Sequence, residues 1–384
     1  MRIINIIFIT FFIGLLALPL LLVDLSSDRF SVRENRLLSA RPKLSDIKNH
    51  PVKFIREFDK WFKDSTGFRV QFVTLYNNAE RNTWLNTVSY SEGYLTFLIG
   101  EQGHHYSVHW GQIEKFQGKK YLSDNQLTNM AAKLEEVKTS LNKKGIPLIV
   151  MLGTDKESIY PEFYPKSIKR GPEPIQLDVI TNYLQEHTTV DIFNIKQALL
   201  AEKDNYLLYP LVDNRTAAPR DIAHYTEIGA FFAYRELMNY INIYFPEIIP
   251  YELSDIDINY DEIGTPFVSL KTEIVHKKFD PSFFDHVNYD PVRFWGEAYE
   301  NIEKYLPVLL LMRDSYGNYE YIGKYLAQHF SKVISIHFHN MNYLDEYIEK
   351  FKPDIIVFES AERTLIEFAS YVPKIPELFI LSKK

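Results

Sequence analysis

Apolar residues along this chain follow two rhythms. From residue 127 onward, segments with apolar positions three and four apart alternate with short unbroken apolar runs. Residues 127–144 read as a helix and 147–152 as a strand; 176–186 give a second helix and 190–195 a second strand. A long helix over 227–244 follows, then strand 308–312, helix 319–330, strand 333–338, helix 343–351 and strand 355–358. A run such as Val308 to Met312 has no polar side, as suits a strand covered on both faces of a parallel sheet. Strands alternating with helices therefore predict an α/β fold with a mainly parallel sheet between two helical layers.

The rest of the chain departs from this rhythm. Phe54, Phe58, Trp61 and Phe62 recur at helical spacing, so 51–64 reads as an amphipathic helix, with Phe72, Leu75 and Tyr76 continuing into another. Residues 91–122, with Gly100, Gly103 and many aromatics, read as short strands around turns. Residues 250–300 are rich in Asp, Tyr and Phe, hold the strand-like Phe267 to Ile274, and read as an insertion over the site. The resulting division is an apolar segment at 1–24, a tether with amphipathic helices at 25–80, and a main domain at 81–384.

Composition narrows the classes. A hydrophobic share of 46% with 15% aromatics excludes a disordered chain, and 384 residues suffice for a large core. The net charge of −7 and the lack of a basic stripe argue against nucleic-acid binding. With no Cys there is neither a disulfide framework nor a thiolate site. Ile3 to Val23 carries no charge and is long enough, at ~1.5 Å per helical residue, to cross a bilayer. Arg2 precedes it and Asp24 and Asp28 follow, which keeps the short end inside and the main domain periplasmic or extracellular. A cleaved signal peptide is the rival; the length of the run and the lack of a small-x-small site favour an uncleaved anchor.

Candidate chemistry gathers at two places. Ser315 follows the strand 308–312 directly, so its hydroxyl belongs at the carboxyl edge of the sheet, where open α/β folds place ligands. It would equally serve as the cap of the next helix. Upstream, Asp221 stands three residues before His224, an arrangement that lets a carboxylate hold Nδ1–H and leave Nε2 free. Ser315, His224 and Asp221 together predict acyl transfer through a covalent acyl-serine, with backbone N–H groups at Ser315 and the following turn holding the oxyanion. Arg313, Tyr316 and Tyr225 are candidate substrate-binding residues beside them. No cofactor enters this chemistry. His104, His105 and His109 include an i, i+4 pair, but no acidic residue completes a metal set nearby. His337 and His339 would share one face of a strand, in a structural or substrate-contacting role.

The serine turn, the Asp-x-x-His element and Tyr225-x-x-x-Gly229-Ala230 resemble the AlgJ/AlgX-type polysaccharide O-acetyltransferases, an SGNH hydrolase-like family with the serine last in order. Glu34-Asn35-Arg36, the stretch Phe58 to Asp64 leading into Gly67-Phe68-Arg69, Lys156 to Glu162, and Lys352-Pro353-Asp354 with Glu359, Glu362 and Arg363 fit the same pattern. The resemblance runs from about residue 34 to the end. One departure is that the family commonly has Asp-x-His-Trp where this chain has Asp-x-x-His-Tyr, which makes Asp213 the alternative partner of His224. The resemblance implies an SGNH-like three-layer fold and an extracytoplasmic O-acetyltransferase acting on a polysaccharide. It also implies a multi-span membrane-bound O-acyltransferase as acyl supplier, because acyl-CoA is cytosolic. An acetyl esterase with the same triad, or a non-catalytic glycan-binding or assembly protein, are the competing expectations.

Overall fold

A computed structural model describes residues 39–68, 96–108, 111–119, 122–211, 223–262, 264–272 and 296–373, the strands Thr87–Ser89 and Lys277–Lys278, and parts of 8–37. The chain divides into two compact units, residues 1–99 and 100–384. In the first, helix α1 (Pro51–Ser65) opens on Pro51, where a missing N–H costs nothing. Its aromatic face is only partly covered: Trp61 is buried, whereas Ile55 and Phe58 stay exposed. The predicted helix through Phe72, Leu75 and Tyr76 lies outside the described residues, as does most of the apolar run 3–23. No helix among the described residues is long and apolar enough to cross a membrane.

The second unit is built on a seven-stranded sheet. Its strands are β1 (Leu148–Gly153), β2 (Asp191–Asn194), β3 (Lys277–Lys278), β4 (Gly296–Glu300), β5 (Val308–Arg313), β6 (Lys332–His337) and β7 (Ile355–Ala361). Their order across the sheet is β3-β4-β6-β5-β7-β1-β2. The pairs from β6 to β2 are parallel, while β4 runs antiparallel to both β6 and β3, so the sheet is mixed. Among the described residues the helices flanking it include α2 (Asp124–Asn142), α3 (Gln176–His187), α4 (Glu227–Ile241), α5 (Leu344–Phe351) and α6 (Leu365–Tyr371). Leu310 and Met312 of β5 pack on one side with α2, α3, α5 and α6, and Leu309 and Leu311 on the other with α4. Alternate residues of one apolar run thus feed two cores, the period of two expected of a doubly covered strand. Each such leucine contributes about 1.5–3 kcal/mol through burial.

Several predicted elements take another form. In place of a helix over 319–330 there is a π-turn at Tyr319–Gly323, broken at Tyr321, and a short α-helical piece at Lys324–Leu326. Tyr321 leaves helical geometry and its ring stacks on His224; a tertiary contact overrides local periodicity. His339 lies not on a strand but in the 3-10 segment Phe338–Tyr343, because β6 ends at His337. The segment read as an insertion supplies two strands of the main sheet, β3 and β4, the latter too polar in sequence to announce itself. The hairpin Ile256–Tyr260 and Pro266–Leu270 packs beside the start of α4, where the Val268 N–H donates to the Glu227 carboxylate at 3.0 Å.

Candidate active site

Two chain segments 91 residues apart meet at the carboxyl edge of the sheet, and His224 Nε2 lies 2.6 Å from Ser315 Oγ. Both side chains are half-buried. The histidine is carried by the last residues before α4, whose start is fixed by Thr226: its hydroxyl accepts the Gly229 N–H at 3.2 Å and donates to the Leu207 carbonyl at 2.8 Å. The imidazole stacks on Tyr321 at 5.0 Å between centroids and leans on Tyr316 at the same separation.

The serine turn is built by Asp314. One carboxylate oxygen accepts the Tyr316 N–H at 2.8 Å, and the other accepts the Ala361 N–H at 2.8 Å and the Thr364 hydroxyl at 2.7 Å. Strand β5 therefore ends in a single 3-10 turn, Ser315–Gly317, tied to the end of β7. Burial alone would raise the Asp314 carboxyl, but Arg363 and these hydrogen bonds outweigh it and hold the group below its ordinary range. Glycine is required at 317 because a Cβ there would come within 2.6 Å of the Arg313 side chain.

Arg313, Tyr316 and Tyr225, read from sequence as substrate contacts, are each no more than 1% exposed. Arg313 Nε donates to Ser335 Oγ at 2.9 Å, Tyr225 donates to the Tyr316 carbonyl at 2.6 Å, and Tyr316 donates to the Ala223 carbonyl at 2.7 Å. As placed here they brace the turn from beneath. Asp221 and Asp213 lie outside the described residues, as does His109. His104 and His105 are buried, and burial and then Lys156 push their imidazoles down to about 3 and about 4, so both are neutral. Among the described residues no group of three or more His, Asp or Glu is placed to hold a metal ion.

A buried charged network underlies the pair. Arg363 bonds Asp155 at 2.8 Å; the Glu362 carboxylate accepts the Asp155 N–H at 3.1 Å and the Ser158 hydroxyl at 2.8 Å. Burial and then the neighbouring Asp155 raise the Glu362 carboxyl to about 7, and burial with Asp314 nearby raises Glu359 well above the carboxylate range. Asp155, Asp314 and Tyr321 were not singled out from sequence, and Glu362 and Arg363 were noted without a role. The only hint was their position at strand ends, which sequence distances of 47 and 208 residues conceal.

Solved structures resembling the chain include a DHHW family protein from Eubacterium siraeum, with 14% identity and a TM-score of 0.49 over 72% of this chain and 94% of that one. PatB1 of Bacillus cereus follows, with 15% identity and a TM-score of 0.45 over 65% and 92%. The O-acetyltransferase domain of Pseudomonas putida AlgJ has 12% identity and a TM-score of 0.44 over 72% and 98%. No curated protein matches the sequence. Residues 114–248 match the family described as the SGNH hydrolase-like domain of the acetyltransferase AlgX. The matched segment carries β1, β2 and His224.

Proposed function

We propose that this protein moves an acetyl group onto a polysaccharide through an acetyl-enzyme on Ser315. The observation that carries the reading is the 2.6 Å approach of His224 Nε2 to Ser315 Oγ at the edge of an α/β sheet. The family matched by residues 114–248, described by an acetyltransferase, supports it. His224 takes the Ser315 proton as Oγ attacks the acetyl carbonyl, and returns it to the departing group of the donor. A sugar hydroxyl then attacks the acetyl-enzyme, gives its proton to His224, and Ser315 regains one as the ester leaves. Asp221 orients the imidazole, with Asp213 the alternative. The Tyr316 N–H is taken by the Asp314 carboxylate and the Gly317 N–H by the 3-10 turn itself, so the Ser315 N–H is the turn's donor to the oxyanion, worth about 3 kcal/mol in such a role.

An apolar anchor at 3–23 would hold the domain outside the cytoplasmic membrane, so the acetyl group reaches it from a multi-span membrane acyltransferase. The test is to incubate the full chain with p-nitrophenyl acetate and candidate exopolysaccharides, alongside Ser315→Ala. Acetylated sugar that depends on Ser315 is the expected product. Acetate alone would return the esterase reading, and unchanged acetylation by Ser315→Ala would end the acyl-enzyme reading.

A further inference from the structure

We propose that Arg363 is the positioning residue of this site, its guanidinium tying the residue before His224 to the residue after Ser315 and so setting the gap between imidazole and hydroxyl. The inference rests on the acyl-enzyme reading. Arg363 stands in the 3-10 turn Glu362–Thr364 that follows β7. Its Nη1 lies 2.8 Å from Asp155 Oδ1, 2.9 Å from the Ala223 carbonyl oxygen and 2.9 Å from the Tyr316 hydroxyl. Its Cζ also sits 4.6 Å from the centre of the Tyr316 ring, so the same planar group is stacked and hydrogen-bonded at once. Tyr316 closes the loop by donating to Ala223 at 2.7 Å.

The geometry is specific in what it connects. Ala223 immediately precedes His224, and Tyr316 immediately follows Ser315. Two segments that share no strand pairing are thus joined through one buried cation, only 5% exposed, whose counter-ion Asp155 is 1% exposed and sits at the end of β1. Asp155 is itself fixed, since its N–H donates to Glu362, the neighbour of Arg363 in the chain. A cation retained merely to neutralise Asp155 and Asp314 would tolerate lysine. A guanidinium retained for position would not, because an ammonium cannot lie flat on Tyr316 and a lysine side chain, one atom shorter, ends before the place where Nη1 meets the three oxygens.

The experiment uses the full chain and three readouts: the rate of Ser315 labelling by a fluorophosphonate, kcat and KM for p-nitrophenyl acetate, and the melting temperature. For Arg363→Lys we expect labelling and kcat to fall on the order of 100-fold with KM unchanged, while the protein stays folded. Tyr316→Phe deletes only a hydroxyl and should give a smaller loss of the same kind. Folded Arg363→Lys that labels at the parent rate, whatever its melting temperature, would overturn the proposal. Should that variant not fold, unchanged labelling of Tyr316→Phe would do the same. A parent protein whose labelling survives Ser315→Ala would instead sink the acyl-enzyme reading, a separate outcome.

Discussion

The two faces of the sheet and its carboxyl rim are built by opposite means. On the faces, Leu309 to Met312, Ile149 to Leu152 and Ile355 to Phe358 feed cores that are apolar throughout. At the rim, Asp155, Arg313, Asp314, Glu359, Glu362 and Arg363 are all at most 5% exposed. Burying a charge is costly unless it is paired and hydrogen-bonded, and such pairs seldom add net stability over apolar packing. The faces therefore hold the fold, while the rim spends stability on holding two segments in register. What distinguishes them experimentally is whether a change moves stability, activity or both.

The largest joint effect is expected at the rim. Asp314→Ala strips the acceptor from Tyr316 N–H, Ala361 N–H and the Thr364 hydroxyl, and leaves Asp155 alone to balance the charge of Arg363. Chemical denaturation should show a loss of about 3–5 kcal/mol, and any protein still folded should have lost nearly all Ser315 labelling. Full labelling of a folded Asp314→Ala would remove the rim's special standing. On the face, Leu311→Ala should cost about 2–5 kcal/mol yet leave kcat at low temperature close to the parent's. A kcat that collapses in step with stability would show that face and rim are not separable.

A subtler contrast is in pH. The Glu362 carboxyl is raised in the folded protein from 4.5 to about 7 by burial and Asp155, so the native state holds its proton more tightly than the unfolded chain. Its contribution is present in full below pH 4.5 and is lost as pH rises through about 7. Unfolding free energies from urea titrations should fall between pH 5 and pH 7.5, by up to a few kcal/mol, and Glu362→Gln should flatten that slope. An equal slope in the glutamine variant would assign it to other groups. Smallest of all, Ser123→Ala removes the capping box at the start of α2, far along the chain from the site, where Ser123 and Gln126 bond each other's backbone. Thermal melts should register about 1 kcal/mol with labelling untouched.

How much of this could be read along the chain follows from the same division. The run 308–312 ends as β5 at Arg313, 127–144 appears as Asp124–Asn142, and 176–186 as Gln176–His187, because burial on a face repeats every two or 3.6 residues and leaves its mark locally. Ser315 and His224 were visible as residue types at strand and helix ends, where chemistry collects. The polar strand β4, the broken segment at Tyr321 and the burial of Arg313, Tyr316 and Tyr225 were not, since each is fixed by a neighbour remote in sequence.

By itself, then, the sequence determined the α/β alternation, the faces of each strand and the identity of two groups able to do acyl chemistry. Only the tertiary structure decided that those groups touch, that Asp314 shapes the serine turn, and that Arg363, from the turn after β7, bonds the chain neighbour of each. The reason is physical: periodicity records what lies above and below a residue, whereas the convergence of loops at a sheet edge depends on how separate strands are ordered side by side.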